Sequence, residues 1–300
     1  MKNSLFYYYQ LNVQKLIKNK NYYFFEDDNY FYYLYLINRP LSYIGELAKL
    51  NNMLVNSKFM FIVPNINRDI VSLINNRYYV LLRNNKNLYS PIEDIYNPDY
   101  CTPDMTKLTL LNHSNWESLW SSKIDYFEYQ KDYIKIKYPL LYKSLDYYIG
   151  LSEIALSYFN TINNREGHHF PDNFVISRRR INLKDNSFYN PLNIVIDHRA
   201  RDIGNYLQYI FLENSYTYEE IGDFLNALNL NNYQYSLVMA RIIFPSFYFD
   251  IYENIINGYE KETKILNILK RNREYERYLK TIYFLINKNQ SISRIDWLEN

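Results

Sequence analysis

The sequence predicts an α+β fold in two lobes, a small β-rich N-terminal lobe and a larger, mainly helical C-terminal lobe. Three observations carry this expectation. Residues 1–83 read as short apolar and aromatic runs separated by Asn- and Asp-rich turns, with one helical pattern among them. From Thr106 onward, apolar residues recur at spacings of three and four behind recognisable helix starts. A non-helical insert, residues 168–202, then interrupts those helices. The expected organisation is an N-terminal lobe over 1–83, a linker or crossover over 84–104 marked by Pro91, Pro98 and Pro103, and a helical lobe over 105–300.

Each element has a local reason. The run "YYFFEDDNYFYYLYLI" (22–37) is two strands joined by the polar turn Glu26–Asn29. "LSYIGELAKLNNML" follows as a helix, and "KFMFIVPN", "DIVSLINN" and "RYYVLLR" as three strands parted by turns. Ser114 and Glu117 have capping-box spacing ahead of Trp116, Leu119, Trp120, Ile124 and Phe127, which are read as one apolar face. Pro139 suits the first position of a helix running to about Asn160. Thr217 and Glu220 repeat the capping box, and 233–243 and 246–257 form a helix pair broken at Pro245. Residues 259–288 close the chain as one or two helices, and the insert holds two short apolar runs at 174–176 and 192–196.

Composition excludes several function classes. A chain of 300 residues with 48% apolar content can bury one large core or two modest ones. The 34 basic and 32 acidic residues leave a net charge of +2, too weak a field to favour nucleic acid or an anionic membrane. The first 20 residues lack the apolar core of a signal peptide, and no uncharged apolar run approaches the roughly 18 residues needed to cross a bilayer. The single cysteine, Cys101, rules out an intramolecular disulfide framework and suits a reducing cytoplasm. The 36 tyrosines are spread along the chain beside abundant Asn, Lys and Ile, as an AT-rich coding sequence produces, and do not gather into one patch.

The run "IDHRARDIGNYL" resembles the metal-binding strand and following helix start of aminoglycoside-phosphotransferase-like kinases. With "NWESLWSSKIDYFEYQ", "NPLNIVIDHRARDIGNYLQYIF" and "ARIIFPSFYFDIYENI", the chain is similar to the spore-coat kinase-like proteins of the YutH type from Firmicutes, best between Trp116 and Ile255. The resemblance implies a two-lobed kinase-like fold, with 168–202 as a degenerate catalytic-loop region, and a link to the spore coat.

A working member of that superfamily uses an H-x-D aspartate to orient the acceptor hydroxyl, an Asn five residues on, and a second Asp on the next strand for Mg²⁺. Asp197 fits the last role. The H-x-D, about twenty residues earlier, falls on Ser177–Arg179, so that Arg179 stands where the catalytic Asp belongs and Lys184 where the Asn belongs. A guanidinium stays protonated and repels a metal, so the base is lost. Shifting the register by one brings Asp185 onto the Asn position as a second possible metal ligand.

The phosphate side is equally poor. No glycine lies in the hairpin at 22–37, taken as the nucleotide-covering one, and Glu26, Asp27 and Asp28 occupy its turn, where carboxylates repel phosphates. Lys58 is the nearest candidate for the phosphate-pairing lysine, with Glu46 a candidate partner, although an ordinary surface ion pair is the stronger expectation for Glu46.

Arg178, Arg179, Arg180 and Arg199 offer an anion or partner site, with Arg179 expected to face the space left by the lost Asp. Against this stands internal pairing of Arg199 or Arg201 with Asp197 or Asp202, which is the stronger expectation, and Asp202 is placed to cap a helix starting at Ile203. His168 and His169 are adjacent and make a poor metal pair without His113, His198 or Asp172, and Cys101 has no local base to make it a nucleophile.

The function expected is therefore that of a kinase-fold pseudoenzyme, a binding or assembly component without a cofactor. Protein partners, spore coat components among them, and a cytoplasmic or spore-coat location are expected. The alternative is an active Mg²⁺- and ATP-dependent small-molecule phosphotransferase using Asp197 and Asp185. A third alternative is an RNA-associated protein, against which the near-neutral charge argues.

Overall fold

The computed structural model describes residues 1–19, 22–54, 58–86, 90–166, 173–184 and 186–299. These residues form two compact units, Met1–Asn112 with Ile176–Ile196, and His113–Val175 with Asp197–Asn300. The central stretch of the non-helical insert thus packs with the N-terminal unit.

The first unit opens with helix α1 (Lys2–Tyr9) and strand β1 (Ile17–Lys18). There follow β2 (Tyr22–Glu26), β3 (Tyr30–Leu36), helix α2 (Leu41–Met53), β4 (Phe61–Val63), β5 (Ser72–Ile74) and β6 (Arg77–Asn85). The hairpin, the helix and the three later strands stand where periodicity places them. All pairings are antiparallel, in the order β1-β2-β3-β6-β4, with β5 added on β6. Side chains alternate across the pleat, so Phe25, Tyr32, Leu34 and Leu81 join Leu5, Val13 and Ile74 in one core. On the other face Tyr22, Phe24, Tyr33 and Tyr35 make cross-strand ring contacts at 5.0–5.6 Å. Between β5 and β6, Asn75 and Asn76 both take positive φ (49° and 58°), the backbone a two-residue hairpin turn requires and Asn tolerates.

Two local expectations change. Strand β1 precedes the Tyr22–Leu36 hairpin, which is therefore the second hairpin of the sheet, and the turn bearing Glu26, Asp27 and Asp28 lies between its second and third strands. A two-residue strand on two exposed residues carries no readable period. Within the supposed linker, Pro91 starts a short helix, α3 (Pro91–Tyr96), that buries Asp94 and Ile95. The insert contributes β7 (Val175–Arg178) and β8 (Ile194–Asp197), paired as a two-stranded sheet and extended by the Arg179 N–H to the Asn193 carbonyl at 2.8 Å.

The second unit is helical: α4 (Trp116–Ile134), α5 (Pro139–Glu166), α6 (Ala200–Glu213), α7 (Tyr218–Ala227), α8 (Asn232–Ile243), α9 (Ser246–Ile256), α10 (Ile265–Leu269), α11 (Asn272–Asn287) and α12 (Asp296–Glu299). The Thr217/Glu220 capping box is formed reciprocally, and Asn231/Gln234 makes another ahead of α8. At α4 the cap is Asn115, whose side chain accepts from the Ser118 N–H, in place of the expected Ser114. Leu119 also departs from the expected face: it is exposed, whereas Trp116, Trp120, Ile124 and Phe127 are buried. Trp120 stacks on Trp116 (4.9 Å) and on Phe244 (4.6 Å), and Phe127 on Phe249 (4.1 Å).

Where Pro245 separates α8 from α9, buried Gln208 of α6 takes up the freed carbonyls. Its amide donates to Ile242 O (3.0 Å) and Phe244 O (2.8 Å), and its oxygen accepts from Ser246 Oγ (2.9 Å). Gly204 lets α6 approach α8 closely, since a Cβ there would lie 2.6 Å from Arg241 Cγ. Among the described residues no helix is long and apolar enough to cross a membrane.

Candidate functional site

The strand ending in Asp197 delivers its carboxylate into the interior of the second unit, where the residue is 0% exposed. One oxygen, Oδ2, is ion-paired with Arg201, one helical turn on, whose side chain is itself buried. The other, Oδ1, accepts from Trp116 Nε1 at 2.9 Å and from the His198 N–H at 2.7 Å. The ring of His198 lies edge-on to Trp116 (5.1 Å) and Phe174 (5.3 Å), and its Nε2 is 3.0 Å from the Ser114 carbonyl. Burying a carboxylate is tolerated only when it is paired and hydrogen-bonded, and here both oxygens meet that condition. The expected internal pairing therefore exists, between Arg201 and Asp197.

Such a carboxylate fits Mg²⁺ badly. A cation at Asp197 has to displace the Arg201 guanidinium or share a buried space with it, and like charges at low dielectric repel strongly. No group of three or more His, Cys, Asp or Glu that could hold a metal occurs among the described residues. Asp185 lies outside the described residues, as do His168, His169 and Asp172.

Asp202 does not cap the helix from outside, because α6 begins at Ala200 with Arg199 at the N-cap position. It lies buried in the first turn, where a carboxylate complements the helix dipole. The Arg199 guanidinium reaches the Asn229 carbonyl at 3.4 Å.

In the first unit the three consecutive arginines part company. Arg178 is buried, its guanidinium 4.0 Å from the Phe188 ring centroid and 5.1 Å from that of Phe59, and it donates to Ile176 O at 3.1 Å. That is an aromatic cage filled from within, which supports the fold. Arg179, where the family resemblance expects a catalytic Asp, lies against α2, with Nη2 3.0 Å from Tyr43 Oη and the guanidinium 5.2 Å from that ring. Arg39, which the sequence did not single out, sits 5.1 Å from the same ring and donates to Leu192 O at 2.7 Å. Burial, and then the charge of Arg179, pull the Arg39 pKa down. Arg180 donates to the Arg179 carbonyl at 2.7 Å, while the Asn193 side chain bridges the Arg180 backbone.

Lys58 and Glu46 do not pair. Lys58 is ion-paired with Asp94 of α3, whose other oxygen accepts from Tyr189 Oη at 2.8 Å. Glu46 accepts the Leu110 N–H at 2.9 Å. The sequence offered no signal for the Asp94 contact, since the helix that carries it reads as linker. In the acidic turn, Asp27 Oδ1 accepts from the Asn29 and Tyr30 amides (2.9 and 2.8 Å) and Oδ2 from the Tyr32 hydroxyl (2.9 Å), so this carboxylate builds the turn. Cys101 is half-buried, and burial pushes its thiol up to about 12, far from a nucleophile's range.

Residues 2–282 match the family described as spore coat putative kinase YutH. The endospore coat-associated protein YutH of Bacillus subtilis (strain 168) is 25% identical over 209 residues, 61% of this chain and 61% of that protein. Among solved structures, an aminoglycoside phosphotransferase from Alicyclobacillus acidocaldarius superposes with a TM-score of 0.56 at 12% identity, covering 96% of each chain. A spectinomycin phosphotransferase in complex with ADP and spectinomycin gives 0.52 at 11% identity, over 97% of this chain and 94% of that one. The architecture is thus that of the aminoglycoside phosphotransferases, with a small antiparallel sheet region and a mostly helical part.

Proposed function

The chain belongs to the YutH family of spore coat kinase-like proteins, and on that premise we propose that it is a kinase-fold pseudoenzyme, a binding or assembly component of the spore coat. The observation that carries this reading is Asp197. In the resemblance it is the metal-binding aspartate, and here both of its oxygens are held by Arg201, Trp116 and the His198 backbone. Arg179 at the place of the catalytic base adds support, because a guanidinium accepts no proton at neutral pH. The absence of glycine before Gly45 leaves no glycine loop to bring backbone amides against phosphates.

Nucleotide binding tests the reading. A ligand at about 100 times its dissociation constant adds about 2.7 kcal/mol to the stability of a binder. We expect no change in the melting temperature with ATP, with or without Mg²⁺. A dose-dependent rise of several degrees that requires Mg²⁺ would overturn the proposal in favour of an active small-molecule phosphotransferase.

A further inference from the structure

Helix α4 carries two apolar stripes. The inner one, through Trp116, Trp120, Ile124 and Phe127, is consumed by the core. The outer one runs through Leu119, Ser122, Tyr126, Tyr129, Tyr133 and Ile136, a strict three-four alternation. The Tyr138 N–H bonds the Ile134 carbonyl at 2.7 Å, so the helical path continues past Ile136. Along this stripe Tyr129 is 66% exposed, Tyr133 65% and Ile136 94%. Tyr129 and Tyr133 already meet each other, with hydroxyls 2.9 Å and ring centroids 5.3 Å apart, so the patch is contiguous. An exposed row of apolar and aromatic residues of this kind, broken only at Ser122, marks an interaction surface.

Its flanks say what covers it. With Leu119, Tyr126 and Tyr133 at one core position of the repeat and Ser122, Tyr129 and Ile136 at the other, one border carries Asp125 and Asp132 and the opposite border Lys123 and Lys137. Two copies packed antiparallel with full overlap set Asp125 against Asp132, twice by symmetry and like against like, and leave Lys123 facing only the neutral Gln130. Two copies packed parallel set Asp132 of each against Lys137 of the other, twice by symmetry. Lys123 has an intramolecular partner in Glu253, which leaves the Asp132–Lys137 pairs to decide the direction.

We propose that the outer stripe of α4 is a self-association surface, on which a second copy of this chain packs its own α4 in parallel about a two-fold axis. The inference does not depend on whether the protein binds nucleotide.

Sedimentation of the full chain from low to high micromolar concentration tests it. The expected result is a reversible doubling of mass, lost when Tyr129→Lys and Tyr133→Lys are combined. Both side chains are exposed, and an unchanged melting temperature shows that the variant still folds. A monomer at every concentration, as when the surface serves a different protein, overturns the proposal, and so does a dimer that survives both substitutions.

Direction is read by cross-linking in a Cys101→Ser background. With copper–phenanthroline as oxidant, Ser122→Cys alone should form a disulfide-linked dimer, because parallel copies bring residue 122 against itself. Cross-linking that needs Ser122→Cys together with Tyr133→Cys means antiparallel packing and overturns it. Asp132→Lys and Lys137→Asp should each weaken the dimer several-fold, and the two together should restore it.

Discussion

Asp197 and Arg201 form a buried ion pair across one turn at the start of α6, and Trp116, 81 residues earlier in the chain, completes the carboxylate's shell. The residue that the family resemblance marks for metal is thus engaged by protein groups at both of its oxygens. A buried pair contributes little net stability over a well-packed apolar pair, but breaking it leaves an uncompensated charge.

Asp197→Asn should therefore destabilise the protein by about 3–5 kcal/mol, the cost of removing one member of a buried ion pair. Urea midpoints measure this directly. Combining Asp197→Asn with Arg201→Met should cost less than the sum of the two single changes. A single variant that is neutral or stabilised means that the carboxylate is not held as described.

Gly204→Ala separates helix propensity from packing. Alanine is favoured over glycine inside a helix by about 1 kcal/mol. At this position the new Cβ meets Arg241 Cγ at 2.6 Å and Cβ at 2.9 Å, and Arg241 is itself fixed by Asn205 Oδ1 at 2.9 Å. Overpacking costs about 1–3 kcal/mol. Net destabilisation is expected in thermal or urea unfolding, and a rise in stability shows that α6 and α8 part easily.

The thiol of Cys101 should be slow to alkylate. With its pKa raised by burial to about 12, almost none of it is thiolate at pH 8. The unfolded chain, with a pKa of about 8.5, should react with iodoacetamide on the order of 100-fold faster or more. Comparable rates in native protein and in urea contradict the buried position.

Acid should weaken the acidic turn. Burial raises the Asp27 pKa, but hydrogen bonds from Asn29, Tyr30 and Tyr32, with the charge of Lys86, bring it net below its ordinary 3.8. A depressed carboxylate contributes stability that is fully present above its unfolded pKa and lost as pH falls through the folded one. The stability gap between wild type and Asp27→Asn should thus stay flat from pH 7 down to about 5 and close below about 4. A gap that widens as pH falls reverses the sign and excludes this role for the carboxylate.

By itself the sequence determined what depends on neighbours along the chain. The alternation in 22–36 built a hairpin, the spacing of Thr217 and Glu220 built a capping box, and Pro139 and Pro245 set helix boundaries, because pleat, cap and turn are satisfied within a few residues. The identity of Arg179 likewise needed no coordinates, since no environment makes a guanidinium a base at neutral pH. The tertiary structure alone decided how charges are partnered. Arg179 meets Tyr43 across 136 positions, Trp116 meets Asp197 across 81, and Lys58 takes Asp94 instead of Glu46. A charged side chain takes whichever partner the packing brings within about 3 Å, and that choice follows from how helices and strands assemble, with no period along the chain to announce it.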